Sequence, residues 1–111
     1  MGRLIYAAAT SYDIEDRTLA HLRAAAIVKL RRHESFMLSW IVDLWAGSGR
    51  ISLWVSPSIP MEFVFSGSRA PRLDETWVRV MVELSNTPRG LVLIPQEEAA
   101  RIAEGAPVPA I

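Results

Sequence analysis

The spacing of apolar residues predicts one long helix from Asp16 to His33. Asp16 is placed to act as the N-cap, because its carboxylate can accept a hydrogen bond from the free amides of the first turn. Basic residues crowd the last turns, where the helix dipole favours positive charge. One face of this helix is an apolar stripe, which requires a sheet to pack against. The stripe consists of Leu19, Leu22, Ala26 and Leu30, with Ile27 at its edge.

Alternation of apolar and polar residues predicts two β-hairpins, one on each side of this helix. The first pairs residues 3–8 with 12–15, and the second pairs residues 35–45 with 50–56 across a turn at 46–49. Both hairpins supply apolar faces on which the helical stripe can pack.

The register of the second hairpin places its two central tryptophans on opposite faces. A four-residue turn puts Trp40 opposite Val55 and Ile41 opposite Trp54. Trp40 then faces the helices as a core residue, whereas Trp54 lies on the outer face. Because side chains alternate along a strand, a slip of one residue would exchange these faces.

The second half of the chain completes an α+β pattern. Asp74 is expected to cap a second helix, which ends before Pro88. Residues 91–94 are apolar throughout, which indicates an interior strand. The order β-β-α-β-β-β-α-β predicts a two-layer sandwich, in which a mostly antiparallel sheet carries both helices on one face. The inward positions are Met61, Phe63 and Phe65 of a third strand and Trp77, Val80, Met81 and Leu84 of the second helix.

Composition limits the class of protein. The chain has 111 residues, half of them hydrophobic, which is enough for one domain with its own core. We assign residues 1–95 to that domain and residues 96–111 to a mobile, acidic and proline-containing tail with a helical turn or two. The 12 basic and 12 acidic residues cancel, so bulk charge favours neither nucleic acid nor an anionic membrane. With no cysteine, two histidines and no long apolar run, we expect a cytoplasmic protein without metal, cofactor or membrane contact.

The end of the first helix carries a basic cluster with two interpretations. Lys29, Arg31 and Arg32 could bind phosphates, with Arg50 beside them and Trp45 available to stack on bases. Alternatively these cations stay solvated and only complement the helix dipole. They spread over about 160° of the helix circumference, so they do not form one stripe.

Two other parts of this helix also have open interpretations. Arg23 lies between apolar positions, so its charge either reaches solvent past a neighbour or forms a buried ion pair. Ala24, Ala25 and Val28 lie away from the stripe, which implies a second cover. That cover is either the rest of the chain or a second copy packed on the small alanines. The candidate partners for Arg23 are Asp43, Glu62 and Glu83.

The chain offers few groups for catalysis. His21 with Asp13 or Glu15, and His33 with Glu34, are the possible acid–base pairs. Neither pair comes with a nucleophile or a phosphate-binding loop, so we expect that the protein is not an enzyme.

Several segments together resemble a known family: MGRLIYA, IEDRTLAHL, KLRRHESFMLSW, GRISLW, PSIPMEFVFSGSR, PRLDETW and GLVLIP. Up to Pro95 the chain is similar to short bacterial proteins of unknown function, some of which are labelled ATP-dependent DNA ligase. Such a ligase forms a covalent adenylate on the lysine of a K-x-D-G motif. Lys29, the one lysine here, is followed by Leu-Arg-Arg, and 111 residues are too few for a nucleotidyltransferase domain. The sequence therefore does not support the label, and the resemblance supplies no catalytic residues.

Two functional hypotheses follow. The first is a non-enzymatic interaction or structural module that self-associates, because apolar side chains project from both the helix and the outer sheet face. The alternative is a nucleic-acid-binding accessory protein that uses the basic end of the first helix. The candidate interface of the first hypothesis consists of Ala24, Ala25, Val28, Ile41, Trp54 and Val64.

Overall fold

The computed structural model describes residues 1–42 and 49–108, and it confirms the α+β class. Along the chain the described elements are β1 (Gly2–Tyr6), β2 (Thr10–Ile14), α1 (Asp16–Leu30), β3 (Phe36–Val42), β4 (Gly49–Val55), β5 (Met61–Val64), α2 (Glu75–Ser85), β6 (Leu91–Val92) and α3 (Gln96–Ala103). None of the helices in these ranges is long and apolar enough to cross a bilayer.

The strands form two three-stranded sheets, in the orders β2-β1-β5 and β4-β3-β6, where one sheet was predicted. All pairings are antiparallel except the one between β3 and β6, which is parallel. The predicted interior strand, β6, therefore lies at a sheet edge. Leu91 and Val92 are nevertheless buried, because α2 packs against them.

The first hairpin is confirmed, and its turn has an unusual composition. Ala7 and Ala8 both have positive φ, at 55° and 57°, and the Ala9 amide donates to the Tyr6 carbonyl oxygen at 3.1 Å. This is the geometry of a type I′ turn, for which asparagine and glycine are the favoured residues. Alanine pays a steric penalty at both positions, so the strands must hold the turn in place.

The second hairpin forms with the predicted faces but a different register. Trp40 pairs with Ile51 and not with Val55, and Ile41 pairs with Arg50 and not with Trp54. The displacement is four residues. Because an even displacement keeps every side chain on its face, the predicted inner and outer residues are unchanged. The predicted turn at 46–49 and the strand residues beyond Val42 lie mostly outside the described residues.

Helix α1 is shorter than predicted at its C-terminal end and has a different cap. Glu15 is the N-cap, and its carboxylate accepts from the Thr18 amide at 3.0 Å. The helix ends at Leu30, and His33 takes a left-handed φ of 58°. The amides of the next residues donate back to the last turn: His33 to the Leu30 oxygen and Glu34 to the Lys29 oxygen. This closure satisfies helix carbonyls that would otherwise lack donors.

Helix α2 matches its prediction, and α3 packs beside it. Asp74 caps α2 by accepting from the amides of Thr76 and Trp77, and the predicted stripe is buried. The Trp77 indole donates to the Ile94 carbonyl oxygen at 3.0 Å. A short helix was expected in the tail, and α3 extends it to eight residues. Ala99 of α3 is 1% exposed, so this part of the tail is packed, while a domain boundary at residue 95 stays a prediction.

Candidate functional site

The outer face of the β3–β4 hairpin carries two of the most exposed large apolar side chains among the described residues. Ile41 is 62% exposed and Trp54 is 50% exposed. Alternation along the paired strands brings them to the face that does not meet the core. We call this surface the outer face, and it is formed by Met37, Ser39, Ile41, Arg50, Ser52 and Trp54.

A polar centre divides this outer face. The hydroxyl oxygens of Ser39 and Ser52 lie 2.7 Å apart and share a hydrogen bond. Beside them is a cavity of about 460 Å³, bounded by Met37 and by the side chains of Arg50 and Arg89. The outer face thus combines apolar ends with a hydroxyl pair and cationic groups, a mixture typical of protein interfaces.

Arg89 was not predicted as part of this surface, and a glycine places it there. Gly90 has a φ of 80°, and a Cβ at that position would lie 2.7 Å from the Met37 carbonyl oxygen. Only glycine therefore lets the turn after α2 approach β3 so closely. Arg89 also donates to the Val108 carbonyl oxygen at 3.1 Å, which ties the C-terminal segment to this region.

The backbone under Trp54 is held from the other sheet. The Tyr6 hydroxyl donates to the Trp54 carbonyl oxygen at 2.6 Å. This bond covers one acceptor at the free edge of β4, which limits pairing of that edge with another strand. The indole itself stays exposed, so its position is fixed while its surface is available.

The other predicted interface residues do not join this surface. Ala25 is fully buried within the chain, which corrects its assignment to an external seam, because α2 packs against α1. Ala24 and Val28 are half-buried on α1. Val64 is half-buried in the other sheet, opposite Arg3. Of the predicted interface set, the outer face contains Ile41 and Trp54.

Lys29 is buried and paired, which corrects its assignment as a phosphate contact. It is 4% exposed, and its ammonium nitrogen lies 3.3 Å from a Glu34 carboxylate oxygen. The same nitrogen donates to the Asn86 side-chain oxygen at the end of α2. Buried charges require such partners, so Lys29 joins α1 to α2 and is not free for a ligand or an adenylate.

The remaining predicted nucleic-acid contacts lie apart from one another. Arg31 and Arg32 are exposed in the turn after α1. Arg50 pairs with Ile41, at the end of β3 remote from that turn. Ile41 lies five positions after Phe36 along β3, a distance of about 16 Å. Trp45 lies outside the described residues, and Arg31 and Arg32 do not form one basic surface with Arg50.

Arg23 is exposed, so its charge reaches solvent. Ion pairs join Lys29 with Glu34, Arg79 with Glu83 and Arg101 with Glu98. A buried ion pair for Arg23 is therefore not observed with Glu62 or Glu83, and Asp43 lies outside the described residues.

His21 is a structural residue and not half of an acid–base pair. Its ring is fully buried and stacked on Trp77 at 4.1 Å between centroids. The Asp74 amide donates to Nε2 at 2.8 Å, so the ring hydrogen lies on Nδ1, 2.7 Å from the Arg17 carbonyl oxygen. Both nitrogens are thus occupied by backbone. No group of three histidine or acidic residues in the described ranges is arranged to hold a metal ion.

Comparison with known proteins identifies the family but not a function. A family model described as a domain of unknown function (DUF7882) matches residues 1–96. No curated protein and no solved structure matches the chain. The chain therefore belongs to this family of domains of unknown function.

Proposed function

We propose that this protein is a non-enzymatic interaction module that self-associates through the outer face of the β3–β4 hairpin. The observation that carries the proposal is the exposure of Trp54 and Ile41 together on one face. Exposed tryptophan is costly to solubility, and aromatic residues of this kind are enriched at protein interfaces.

The proposed partner is a second copy of this chain, because groups on the outer face are complementary to other groups on the same face. Arg50 and Trp54 lie on the same face of β4, with Ser52 midway between them. Four strand residues span about 13 Å. A two-fold axis beside Ser52 would bring the Arg50 guanidinium of each copy over the partner's Trp54. A cation over an indole ring is favourable within about 6 Å, so one contact type would be made twice.

The buried state of His21 and Lys29 supports a non-enzymatic role. Both nitrogens of His21 are bonded to backbone, and the Lys29 amine is bonded to Asn86 and paired with Glu34. The two side chains that offered most for proton transfer or nucleophilic attack are thus used to hold helices together.

Sedimentation equilibrium tests self-association. We expect the apparent mass to rise with protein concentration towards that of a dimer at high micromolar concentration. Trp54→Ala and Arg50→Glu should each weaken the dimer by about tenfold or more.

Leu73→Ala is the matched control, because Leu73 is an exposed large apolar residue at 46% but lies outside the outer face. Its association should equal that of the wild type. A wild-type protein that stays monomeric throughout, or an equal loss in the Leu73 variant, would remove the basis for this proposal.

A further inference from the structure

A second concave surface lies between the first half of α1 and the segment 65–73 that leads to α2. This groove has a volume of about 650 Å³. Its residues are separate from those of the outer face. Small-molecule sites are typically concave, with volumes of about 300–1,000 Å³. We call it the α1 groove, and the residues used below are Ala20, Arg23, Ala24, Phe65, Arg69 and Leu73.

The segment that forms one wall is fixed to α1 at its beginning. The Asp16 carboxylate accepts from the backbone amides of Ser66 and Gly67, at 3.1 and 3.0 Å. These two bonds hold the pKa of Asp16 below its ordinary value, and the bond from Ser66 has the larger effect. The carboxylate is therefore used by the wall of the groove itself.

The same segment is fixed to α1 again at its end. The Arg17 guanidinium donates to the Arg72 carbonyl oxygen at 3.3 Å, and the Asp74 amide donates to His21 at 2.8 Å. Attachment at both ends means that the groove exists before a ligand arrives. Such pre-organisation lowers the entropic cost of binding.

One part of the α1 groove is apolar. Ala20 and Ala24 are half-buried on α1, and their short side chains leave the space open. Phe65 is half-buried on the facing wall. Leu73 is 46% exposed, although it is a large apolar residue. An aliphatic ligand would cover the exposed part of Leu73 and remove apolar surface from water.

Some of the charged side chains in the groove have partners among the described residues and others do not. Glu15 accepts from Thr18, and Asp16 accepts from the facing wall, so both carboxylates have partners. Arg17 is held by Arg72 and Gln96. By contrast, Arg23 and Arg69 are exposed and make no hydrogen bond or ion pair with the described residues. Three cations and two anions line the groove, which leaves one positive charge to be balanced.

We propose that the α1 groove binds a small aliphatic monocarboxylate. The hydrocarbon part lies against Phe65, Leu73 and the two alanines, and the carboxylate is bound by the guanidiniums of Arg23 and Arg69. Guanidinium groups match the planar geometry of a carboxylate and donate to both of its oxygens. A single negative charge balances the groove, whereas a dianion would also meet the fixed carboxylates of Glu15 and Asp16.

Amide chemical shifts recorded during titration with octanoate test this proposal. We expect saturable shifts in residues 15–24 and 65–73. Acetate lacks the chain and octan-1-ol lacks the charge, so each should bind about tenfold or more weakly than octanoate. Octyl phosphate, which carries close to two charges at neutral pH, should bind no more tightly than octanoate.

Variants locate the charge contact. Arg23→Gln combined with Arg69→Gln should weaken octanoate binding about tenfold, and should reduce its advantage over octan-1-ol. Arg31→Gln combined with Arg32→Gln is the matched control and should leave affinity unchanged. Both double variants alter exposed side chains, and unchanged melting temperatures will show that they are folded.

Three results would overturn the proposal: octanoate binding no tighter than octan-1-ol, equal loss in the control variant, or shifts outside the α1 groove. Much tighter binding of octyl phosphate would contradict the monocarboxylate and identify a phosphate ligand instead. The titration is independent of self-association, because the variants leave the outer face intact.

Discussion

Trp40 and Trp54 belong to one hairpin, but their surroundings differ in almost every respect. Trp40 on β3 is 8% exposed and meets Tyr12 of the other sheet edge-to-face, with ring centroids 5.3 Å apart. Trp54 on β4 is 50% exposed and lies opposite Met37 on the outer face. The Trp40 ring joins two sheets, whereas the Trp54 indole is exposed and only the backbone carbonyl of Trp54 is bonded to the other sheet, through Tyr6.

The contrast between the buried Trp40 and the exposed Trp54 indicates which residues the fold itself requires. A buried aromatic ring fills a space that the surrounding side chains cannot close, so its loss leaves a cavity. An exposed ring fills no such space, and folding alone does not explain a tryptophan there. The inner face is thus determined by packing, and the outer face is available for an interaction.

The largest expected effect is that of Trp40→Ala. Removal of the ring should cost about 3–5 kcal/mol, because the contact with Tyr12 and the core packing are lost together. This is enough to unfold a domain of ordinary stability. Urea titration followed by circular dichroism measures the loss, and Trp40→Phe, which keeps an aromatic ring, should be clearly milder. A cost near that of a surface substitution would show that the inner face is not the core.

Lys29 extends the comparison to charged residues. Lys29→Ala should cost about 2 kcal/mol, because it removes a buried stem and the donor to Asn86. Lys29→Met keeps the packing of the stem and should cost less than Lys29→Ala, although it also leaves the buried Oε1 of Glu34 without its cationic partner. Arg31→Ala, the exposed counterpart, should change stability by less than about 0.5 kcal/mol. Urea titrations of the three variants compare them, and equal effects at Lys29 and Arg31 would mean that Lys29 is not part of the core.

Local patterns in the sequence predicted the faces and the second helix. Asp74 caps α2 as expected, because capping depends on residues two and three positions away. Alternation placed Trp40 inside and Trp54 outside, because the period of a strand does not depend on its partner. Ile41 and Trp54 were therefore the part of the candidate surface that sequence could identify.

Long-range contacts could not be read from these patterns. Lys29 was assigned to solvent because its partner Asn86 lies 57 residues away. Asp16 was assigned as the cap of α1, but its carboxylate is used by Ser66 and Gly67. The predicted register of β3 and β4 was wrong by four residues. The turn-forming residues at 46–49 suggested a four-residue connection, whereas the observed pairing of Val42 with Gly49 leaves six residues between the strands.

Acid should loosen the contact between α1 and the segment 65–73 before it affects the inner face of the hairpin. Hydrogen bonds from the Ser66 and Gly67 amides lower the pKa of Asp16, and a hydrogen bond from the Gln96 side chain lowers the pKa of Asp74. Groups with a lowered pKa stabilise the fold above their unfolded pKa of about 3.9, and that stability is lost as the pH falls through the folded value. Below about pH 4 we therefore expect lower protection of the Ser66 and Gly67 amides against exchange, relative to the intrinsic rates at that pH, with the protection of the Trp40 amide unchanged.

Asp16→Asn is the control for this prediction. It removes the titrating group, so the acid response at Ser66 and Gly67 should become smaller than in the wild type. An inner face that loosens at the same pH as these amides would contradict the proposed order of events.

Of the two tryptophan substitutions, Trp54→Ala is expected to have the smaller effect on the fold. The cost to the monomer should be about 1 kcal/mol or less, the size of a lost cross-strand contact with Met37. If the outer face is a dimer interface, the wild-type melting temperature should rise with protein concentration, because association stabilises the folded state by mass action. The melting temperature of Trp54→Ala should then be nearly independent of concentration, and at high dilution it should differ from the wild-type value only by the small monomer cost. Differential scanning calorimetry at several concentrations measures both quantities. A loss as large as that of Trp40→Ala at every concentration would mean that both faces of the hairpin are buried within one chain, and the contrast between the two tryptophans would then fail.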